Sequence, residues 1–348
     1  MKIPSNELAC RTLFYHAASD GRAQAFFGPD WENTCDAVVP YTRGVVFPNL
    51  YLEFPLKGDP FLDVTALIHT VEPGGPACPE AVAEMEPVYS WVTKLHAADR
   101  RICFGLELDA ATAASGPAAV HFQHFEKLHL AREFCERMGN PDAGKLYLDL
   151  AERMPAGWRP AFFGMFRRRP DSPLRVCGYL SREEIARCAD NPAHLEAIFR
   201  QIGFSAYDDG MLRAVSAWFG TVWDADYQID VWPDGTLGEV FAIDGSAGSL
   251  REQEMKTSFD NGCFARMMTL LESWGVADSR WRLVADMVLT RGFPAEDRNG
   301  NSHLFAMLVQ PSWVKARWRA AVPQNAKCYC RAWAGIQGDD SSEEPKKS

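Results

Sequence analysis

The chain has 348 residues, of which 47% are hydrophobic and 24% charged, so it is long enough for one large globular domain or two. Its net charge of -10 at pH 7 argues against a general nucleic-acid or anionic-membrane surface, because such surfaces need a positive field. A small basic pocket is still compatible with that charge. The 10 cysteines include no Cys-x-x-Cys pair, which argues against a zinc ribbon or a thioredoxin-type motif.

Targeting and membrane signals are also missing from the sequence. No apolar run approaches the length of about 18 residues that a membrane helix needs. The N-terminal segment lacks the apolar core of a signal peptide. We therefore expect a cytoplasmic monomer that binds neither nucleic acid nor a membrane.

The first half of the chain is predicted to alternate helices with strands. A Gly58-Asp59-Pro60 turn separates the first two strands. The predicted elements are a helix over 4–25, strands over 51–57 and 62–71, a helix over 79–97, a strand over 101–108, and helices over 120–138 and 143–154.

The second half is predicted to consist of hairpins separated by helices. Ser181 and Glu184 match a capping box, which marks a helix start, and Asp234-Gly235 is a strong hairpin turn. The predicted elements are strands over 159–168 and 174–180, helices over 181–202 and 209–219, strands over 227–232 and 237–243, a helix over 249–274, strands over 282–291 and 303–309, a helix over 312–321, and a strand over 326–333.

These elements predict a single domain over residues 1–335, followed by a disordered polar tail over 336–348. Hairpins favour antiparallel pairing, and closing the ten predicted strands on themselves removes the exposed sheet edges. A ten-stranded barrel is also wide enough to enclose a ligand. The predicted fold is therefore α+β: a ten-stranded antiparallel β-barrel surrounded by a ring of α-helices.

Polar side chains recur on one face of the predicted strands. In the last strand Lys327, Tyr329 and Arg331 alternate with Cys328 and Cys330. Other predicted strands place polar or aromatic residues in the same alternation, namely Arg175, Tyr179, Gln228, Asp230, Trp232 and Arg282. A single strand with a polar face can be explained as a solvated sheet edge. Several strands with polar faces instead predict a polar, cationic cavity suited to an anion such as a diphosphate.

The strand that contains Glu53 offers the first candidate for acid–base chemistry. Tyr51, Glu53 and Lys57 fall nominally on one face, opposite Leu52 and other apolar residues. Glu53 is a candidate general base, and Lys57 is a candidate anion contact or charge partner. The alternative is an exposed strand face with a weak ion pair.

Metal and nucleotide motifs give no support for other enzyme classes. On the predicted helix His121 and His124 share a face that His129 does not, and no His-Glu-x-x-His accompanies them, so structural histidines are favoured over a metal site. Gly-x-Ser-x-Gly, Gly-x-Gly-x-x-Gly and Walker A motifs are absent. Asp-Asp-x-x-Asp is absent too, which disfavours an all-helical isoprenoid synthase.

The order of these elements resembles the ABBA prenyltransferases, and in detail the cyanobactin-type peptide prenyltransferases. The local matches are Leu52-Glu53-x-x-x-Lys57, Arg101-Ile102-Cys103-Phe104-Gly105-Leu106, the hairpin ending Ser172-Pro173-Leu174-Arg175, and the segment from Ser302 to Trp333. Their order agrees over residues 45–333. Two positions depart from the family pattern: Cys177 stands where a histidine is expected, and no basic residue lies near Thr65.

The resemblance implies transfer of a dimethylallyl or geranyl group from its diphosphate to a side chain of a ribosomal, cyclic peptide. It implies Glu53 as the catalytic base. The implied diphosphate-binding residues are Lys57, Arg175, Arg282, Lys327 and Arg331, and the implied shield of the prenyl group is Tyr179, Trp232 and Tyr329. Mg²⁺ is the implied cofactor, bound through the diphosphate rather than by protein ligands.

Two alternatives remain open at the level of the sequence. The same barrel can act on a free aromatic or amino-acid small molecule, and it can also be a non-catalytic ligand-binding barrel. A peptide enzyme needs an open barrel mouth, whereas a small-molecule enzyme is usually more closed.

Overall fold

The computed structural model describes residues 1–42, 48–68, 80–109, 116–166, 172–246, 259, 262–297 and 299–336. Apart from Ile336, the predicted tail lies outside the described residues, as do Arg167, Arg168 and Arg169. In the described part of the chain the strands are β1 (Asn49–Pro55), β2 (Asp63–Ile68), β3 (Cys103–Leu108), β4 (Ala119–Gln123), β5 (Trp158–Phe166), β6 (Leu174–Leu180), β7 (Ala225–Val231), β8 (Leu237–Ser246), β9 (Leu289–Glu296), β10 (Ser302–Arg319) and β11 (Val322–Ile336).

The helices of the described residues surround these strands. They are α1 (Asn6–Ala18), α2 (Trp31–Thr42), α3 (Glu86–Ala98), α4 (Leu128–Arg137), α5 (Pro141–Arg153), α6 (Arg182–Cys188), α7 (Pro192–Ile202), α8 (Asp209–Phe219) and α9 (Cys263–Ser273), with 3₁₀ segments at Glu80–Met85 and Ser279–Met287 and a π-helical turn at Ala23–Phe27. Among the described residues, no helix is long and apolar enough to cross a membrane.

The sheet closes on itself, as the sequence predicts. Each strand from β1 to β7 pairs antiparallel with the strand that follows it in the chain. β8 pairs with β10, β10 pairs with β11, and β11 pairs with β1, which closes the sheet. Ten strands therefore form a barrel without a free edge, while β9 pairs with β10 outside it. The predicted fold, a ten-stranded antiparallel barrel within helices, is confirmed.

The barrel contains a strand that the sequence analysis placed in a helix. Residues 120–123 were predicted as part of a helix over 120–138, but they lie in β4 between β3 and β5, and the helix begins only at Leu128. The predicted strand over 282–291 begins instead with the 3₁₀ segment Ser279–Met287, and its remainder lies in β9. The predicted and the observed barrel therefore both have ten strands, but β4 takes the place of the predicted strand over 282–291.

β10 is the second correction. Residues 312–321 were predicted as a helix after Pro311, yet the strand runs on to Arg319. A bulge between Pro311 and Trp313 accommodates the proline, which lacks an N–H, and strand pairing to β8 and β11 continues beyond it. The longer strand brings three further side chains, Trp313, Lys315 and Arg317, to the barrel interior.

The hydrophobic core lies between the barrel wall and the helices. Trp318 of β10 is buried beside Phe241 of β8 and Trp274 at the end of α9, with ring centroids 6.5 and 5.3 Å away. Cys328 and Cys330 of β11 are fully buried on this outer face. Because strand side chains alternate, the other face of each strand turns toward the barrel interior.

Helix boundaries follow local capping chemistry. Ser181 Oγ accepts the N–H of Glu184 at 3.2 Å, which starts α6 at the predicted capping box. The predicted helix over 181–202 is interrupted, because Asp190 has a positive φ of 53° and Asn191-Pro192 starts a new helix with its own cap. α6 and α7 are therefore separate helices.

Candidate active site

The barrel encloses a polar cavity of about 420 Å³. Its wall comes from the inward face of all ten barrel strands, and His96 in the last turn of α3 and Arg100 and Arg101 in the turn to β3 line it at one mouth. We call this mouth the upper mouth; it is the end at which β1, β3, β5 and β7 begin. A cavity of this size is typical of small-molecule sites.

Six of the predicted site residues line the cavity: Glu53, Arg175, Tyr179, Lys327, Tyr329 and Arg331. The side chains of β11 alternate as predicted, since Lys327, Tyr329 and Arg331 point into the barrel. Arg331 is buried, and its Nε donates to Asn49 Oδ1 at 3.3 Å.

Three predicted residues lie elsewhere. Lys57 follows the end of β1, is exposed, and donates from Nζ to the carbonyl oxygen of Gly275 at 2.8 Å. Arg282 lies in the 3₁₀ segment rather than a strand, and its exposed guanidinium packs 4.5 Å from the ring centroid of Trp281. Trp232 follows the last residue of β7 and is 41% exposed, so its position does not suit a shield.

Two lysines meet at the centre of the barrel wall. Lys315 of β10 and Lys327 of β11 are direct partners in the strand register. Like charges that face each other in this way are destabilising unless opposite charges or an anion compensate them. Lys327 Nζ donates to Glu53 at 2.5 Å and to Asp63 at 3.2 Å, and Lys315 Nζ donates to the Tyr329 hydroxyl at 2.5 Å. Asp244 lies 3.8 Å from Lys315 Nζ, so the two ammonium groups and their carboxylate partners form one charged cluster in the cavity.

The lysine pair sets the ionisation of Glu53. Burial alone raises the pKa of this carboxyl, but the positive charges of Lys327 and Lys315 outweigh burial and hold its pKa below the usual range. Conversely, Glu53 and Asp63 raise the pKa of Lys327 against the opposing effect of its own burial. Glu53 is therefore a carboxylate at neutral pH and a hydrogen-bond acceptor.

Arg175 forms a second cationic point. Its Nε donates to Asp230 Oδ1 at 3.2 Å, in register across β6 and β7, and its guanidinium carbon lies 4.8 Å from the ring centroid of Phe166. The stacked and paired guanidinium is held in place, and its flat donor array suits an oxyanion.

Aromatic rings gather toward the upper mouth. Tyr179 stacks on Phe125 with centroids 5.4 Å apart and lies 6.1 Å from Phe162. Gln123 donates to the Tyr179 hydroxyl at 2.9 Å, which fixes the ring. The guanidinium carbon of Arg101 lies over the Phe125 ring, 5.6 Å from the ring centroid. This aromatic end offers π-faces beside one polar anchor.

The histidines predicted to share a helix face are separated by the structure. His121 is on β4 and lines the cavity, where its Nε2 lies 2.7 Å from Glu107 Oε2. His124 is fully buried on the outer side and contacts the Tyr147 hydroxyl at 2.6 Å, whereas His129 is exposed on α4. The predicted helix that placed these histidines together was wrong, and the absence of a metal site stays a prediction.

The sequence analysis missed several cavity residues. Lys315, Arg317 and Trp313 were assigned to a helix, and His121 with Gln123 to another. The signal was present, since Trp313, Lys315 and Arg317 alternate with the apolar Val314, Ala316 and Trp318. Pro311-Ser312 is typical of a helix start, and for that reason the segment was predicted as a helix despite its period of two.

The cavity is charge-balanced, which corrects the expectation of a cationic cavity. Seven carboxyl residues line it, namely Glu53, Asp63, Glu107, Asp109, Asp226, Asp230 and Asp244. Seven Lys and Arg residues line it as well, namely Arg100, Arg101, Arg175, Lys315, Arg317, Lys327 and Arg331. The lysine pair and Arg175 are cations within this balanced interior, and each is already contacted by a carboxylate.

A resident metal is not favoured by the arrangement of these carboxylates. Within the described ranges, the one close group of three potential ligand residues is Glu184, Cys188 and His194, on α6 and α7 outside the barrel. Its histidine and glutamate already contact each other at 2.7 Å. In the cavity, an ion such as Mg²⁺ would have to be held largely by a ligand's own oxygen atoms.

Comparison with known proteins adds structural neighbours without adding a family. No family model and no curated protein matches the chain. Among solved structures, 5-dimethylallyltryptophan synthase from Streptomyces coelicolor is similar at 12% identity with a TM-score of 0.49, covering 98% of this chain and 99% of that chain.

Two further solved structures have similar scores. The NotF prenyltransferase in complex with brevianamide F and DMSPP has 9% identity and a TM-score of 0.48, covering 96% of this chain and 95% of that chain. PriB in complex with L-tryptophan and dimethylallyl thiolodiphosphate has 12% identity and a TM-score of 0.49, covering 94% of this chain and 95% of that chain. At these scores the neighbours do not determine a substrate for this protein.

Proposed function

We propose that this protein transfers an allylic prenyl group, dimethylallyl or geranyl, from its diphosphate to an aromatic small molecule. The observation that carries the proposal is the Lys315–Lys327 pair, placed in register within a closed barrel beside Tyr329 and Glu53. Both ammonium groups act on the same carboxyl, Glu53, so they border one part of the cavity, and two cations there can donate charge-assisted hydrogen bonds to one diphosphate.

The donor diphosphate binds at this centre. Lys315 and Lys327 donate to its oxygens from one side of the barrel, and Arg175 donates from another strand. Each cation already has a partner, with Asp244 3.8 Å from Lys315 and Asp230 3.2 Å from Arg175. An ammonium or guanidinium group has several N–H donors, so binding adds phosphate contacts beside these carboxylate contacts, and the cations need little movement.

The aromatic residues stabilise the positive charge that develops when diphosphate leaves. Tyr329 lies at the lysine pair, and Tyr179 with Phe162 lies toward the upper mouth. Their electron-rich faces favour a carbocation-like allyl group and exclude water that would capture it.

The acceptor enters between the aromatic end and Glu53. A cavity of about 420 Å³ suits a donor and one compact aromatic molecule, and Arg100 and Arg101 line its upper mouth. This volume favours the small-molecule acceptor over the ribosomal peptide, which stays a prediction from the sequence resemblance alone. Glu53, ionised and acceptor-only, orients the acceptor through its N–H or O–H group.

Turnover with a panel of acceptors tests the proposal. The protein is incubated with dimethylallyl or geranyl diphosphate and either free tryptophan, tyrosine and simple indoles, or linear and cyclic peptides that contain the same side chains. Mass spectrometry of the products is expected to show prenyl addition to the free aromatics. Products from peptides alone would overturn the acceptor class.

A donor-binding control separates catalysis from simple binding. Titration with dimethylallyl thiolodiphosphate, which retains the diphosphate charge, is expected to show binding that Lys315→Met weakens and Lys57→Met does not. Donor binding without any product across the panel would support the non-catalytic barrel instead and overturn prenyl transfer.

A further inference from the structure

We propose that His121, held by Glu107, is the base that removes the proton released by the acceptor after prenyl transfer. The inference rests on the proposed function and concerns a second site in the same cavity, separate from the lysine pair. It assigns a catalytic role to a histidine that the sequence analysis read as structural.

The geometry is that of an oriented imidazole. His121 Nε2 and Glu107 Oε2 lie 2.7 Å apart, with the two residues on neighbouring strands β4 and β3 and both side chains lining the cavity. An ionised carboxylate only accepts hydrogen bonds, so it holds the ring proton on Nε2 and leaves the lone pair on Nδ1. A neutral imidazole in this tautomer accepts a proton at Nδ1, and Glu107 then stabilises the imidazolium.

The strands leave a space shaped for this ring. The direct register partners of His121 are glycines on both sides, Gly105 on β3 and Gly164 on β5. A Cβ atom at Gly164 would lie 3.0 Å from His121 Cε1 and 3.1 Å from its Nδ1, and one at Gly105 would lie 3.5 Å from His121 Cβ. Side chains at these positions would crowd the ring, so the glycines keep its Nδ1 edge open.

Glu53 is less suited to take the proton. Its carboxylate is bound by Lys327 at 2.5 Å, and the lysine charges hold its pKa below the usual range. A carboxylate tied to the diphosphate-binding lysine can orient an acceptor, but protonating it would break that ion pair. His121 and Glu107 have no lysine or arginine in hydrogen-bond contact among the described residues.

The proton transfer balances as follows. The C–O bond of the donor breaks with its electron pair leaving on the diphosphate, and the allyl carbon bonds to an aromatic carbon or a heteroatom of the acceptor. The acceptor then carries a positive charge and a proton to lose. His121 Nδ1 binds that proton, the electrons of the broken C–H, N–H or O–H bond return to the acceptor, and the imidazolium pairs with Glu107.

Neighbouring charges modulate this step and belong in any interpretation of its pH dependence. Glu107 faces the ring from β3, Arg175 lies beyond Gly164 on β6 with Asp230 on β7, and Lys327 contributes from β11. On β4 itself the next inward residue, Gln123, does not titrate. Burial raises the pKa of Glu107, but His121, Arg175 and Lys327 outweigh burial and keep it ionised.

The test compares His121→Asn with His129→Asn, an exposed histidine on α4 that serves as the matched control. We expect His121→Asn to lower kcat by roughly 10²–10⁴-fold while donor binding stays within about twofold. The acid limb of the kcat–pH profile should disappear in this variant and persist in the control. Added imidazole should restore activity to His121→Gly, because the cavity left between two glycines can admit it.

Two results would overturn the assignment. One is a His121→Asn enzyme that folds, binds donor and keeps both kcat and the acid limb; the other is loss of activity in His121→Gly that imidazole does not restore while donor binding is intact. Failure of the proposed function looks different, since the unaltered protein would then form no prenylated product with any acceptor.

Discussion

At the scale of single residues, the barrel interior is built from charges that compensate one another. Lys327 contacts Glu53 and Asp63, and its Nζ also lies 4.9 Å from the ring centroid of Phe61. Removing one member of such a partly buried pair costs more than the contact itself, because the partner charges are left without compensation. Substitutions here therefore act on binding and on the protonation of their neighbours together.

Lys327→Met is expected to weaken binding of dimethylallyl thiolodiphosphate by about 10- to 100-fold, through loss of one charge-assisted hydrogen bond. The remaining carboxylates, Glu53 and Asp63, then repel the donor as well. Calorimetric titration measures the change, and Lys57→Met provides a lysine control outside the cavity. Equal donor affinity in Lys327→Met and the unaltered protein would contradict the assigned phosphate site.

Glu53→Gln is expected to lower kcat about 10²-fold by misorienting the acceptor, while the acid limb of the pH profile is retained. The pKa of Glu53 lies below its ordinary value, so the carboxylate stays ionised as the pH falls toward 5 and does not set that limb. Steady-state rates measured between pH 5 and 9 give the profile. A limb that vanishes in Glu53→Gln but persists in His121→Asn would reverse the two roles.

Stability should depend on pH through His124. Burial lowers the pKa of this histidine to about 4, below the value near 6.5 of the unfolded chain. The unfolded state then binds more protons, so the free energy of unfolding falls as the pH drops from about 6.5 to 4, by up to about 3 kcal/mol from this group. Urea unfolding at pH 7 and pH 4.5 should show a smaller pH difference in His124→Phe than in the unaltered protein; equal differences would show that His124 does not titrate on unfolding.

At the scale of elements, β4 and β10 show why local signals mislead. β4 is followed closely by helix α4, and β10 contains Pro311-Ser312, which is typical of a helix start. Each strand nevertheless pairs with a neighbouring barrel strand on both sides. Strand pairing on both sides satisfies their backbone groups and outweighs weak helix propensity. The consequence is functional, because these strands carry His121 and Lys315.

Trp318→Ala should reveal the strand identity of residues 312–319. In β10 the Trp318 ring points outward and is buried, with 1% exposure, between the barrel and α9. We expect its removal to lower the free energy of unfolding by about 3–5 kcal/mol. Urea denaturation provides the measurement, and Trp223→Ala, which removes a ring that is 70% exposed, should change it by no more than about 0.5 kcal/mol. A small effect of Trp318→Ala would contradict the burial.

At the scale of the whole molecule, the closed barrel is what concentrates charge in one place. The protein carries a net charge of -10, and its cavity has as many Lys and Arg residues as carboxyl residues. A diphosphate adds negative charge to this balanced interior. A counter-cation carried by the diphosphate oxygens would lower that cost.

Mg²⁺ is therefore expected to increase donor affinity and turnover, and EDTA to decrease both, although the described residues that line the cavity form no close group of three metal ligands. Titrations of dimethylallyl thiolodiphosphate with and without Mg²⁺ measure the effect directly. Identical affinity and turnover in EDTA and in Mg²⁺ would show that Lys315, Lys327 and Arg175 neutralise the donor without a metal ion.

Several features of the fold and the site were predictable from local patterns. The hairpin at Asp234-Gly235, the antiparallel pairing of β5 with β6, and the inward alternation of Lys327, Tyr329 and Arg331 follow from turn chemistry and from a period of two. The inward position of Glu53 and Arg175 follows from the same period. Arg282 and Trp232 were misassigned because a period of two was read in a 3₁₀ segment and beyond the end of a strand.

The sequence by itself determined the closed antiparallel barrel within helices, because alternation and turn residues are local properties of the chain. Only the tertiary structure decided which side chains meet. The facing of Lys315 and Lys327, the balance of charges in the cavity and the contact of His121 with Glu107 depend on strand register and closure. These bring together residues far apart in sequence, such as Glu53 and Lys327, and no local pattern encodes that pairing.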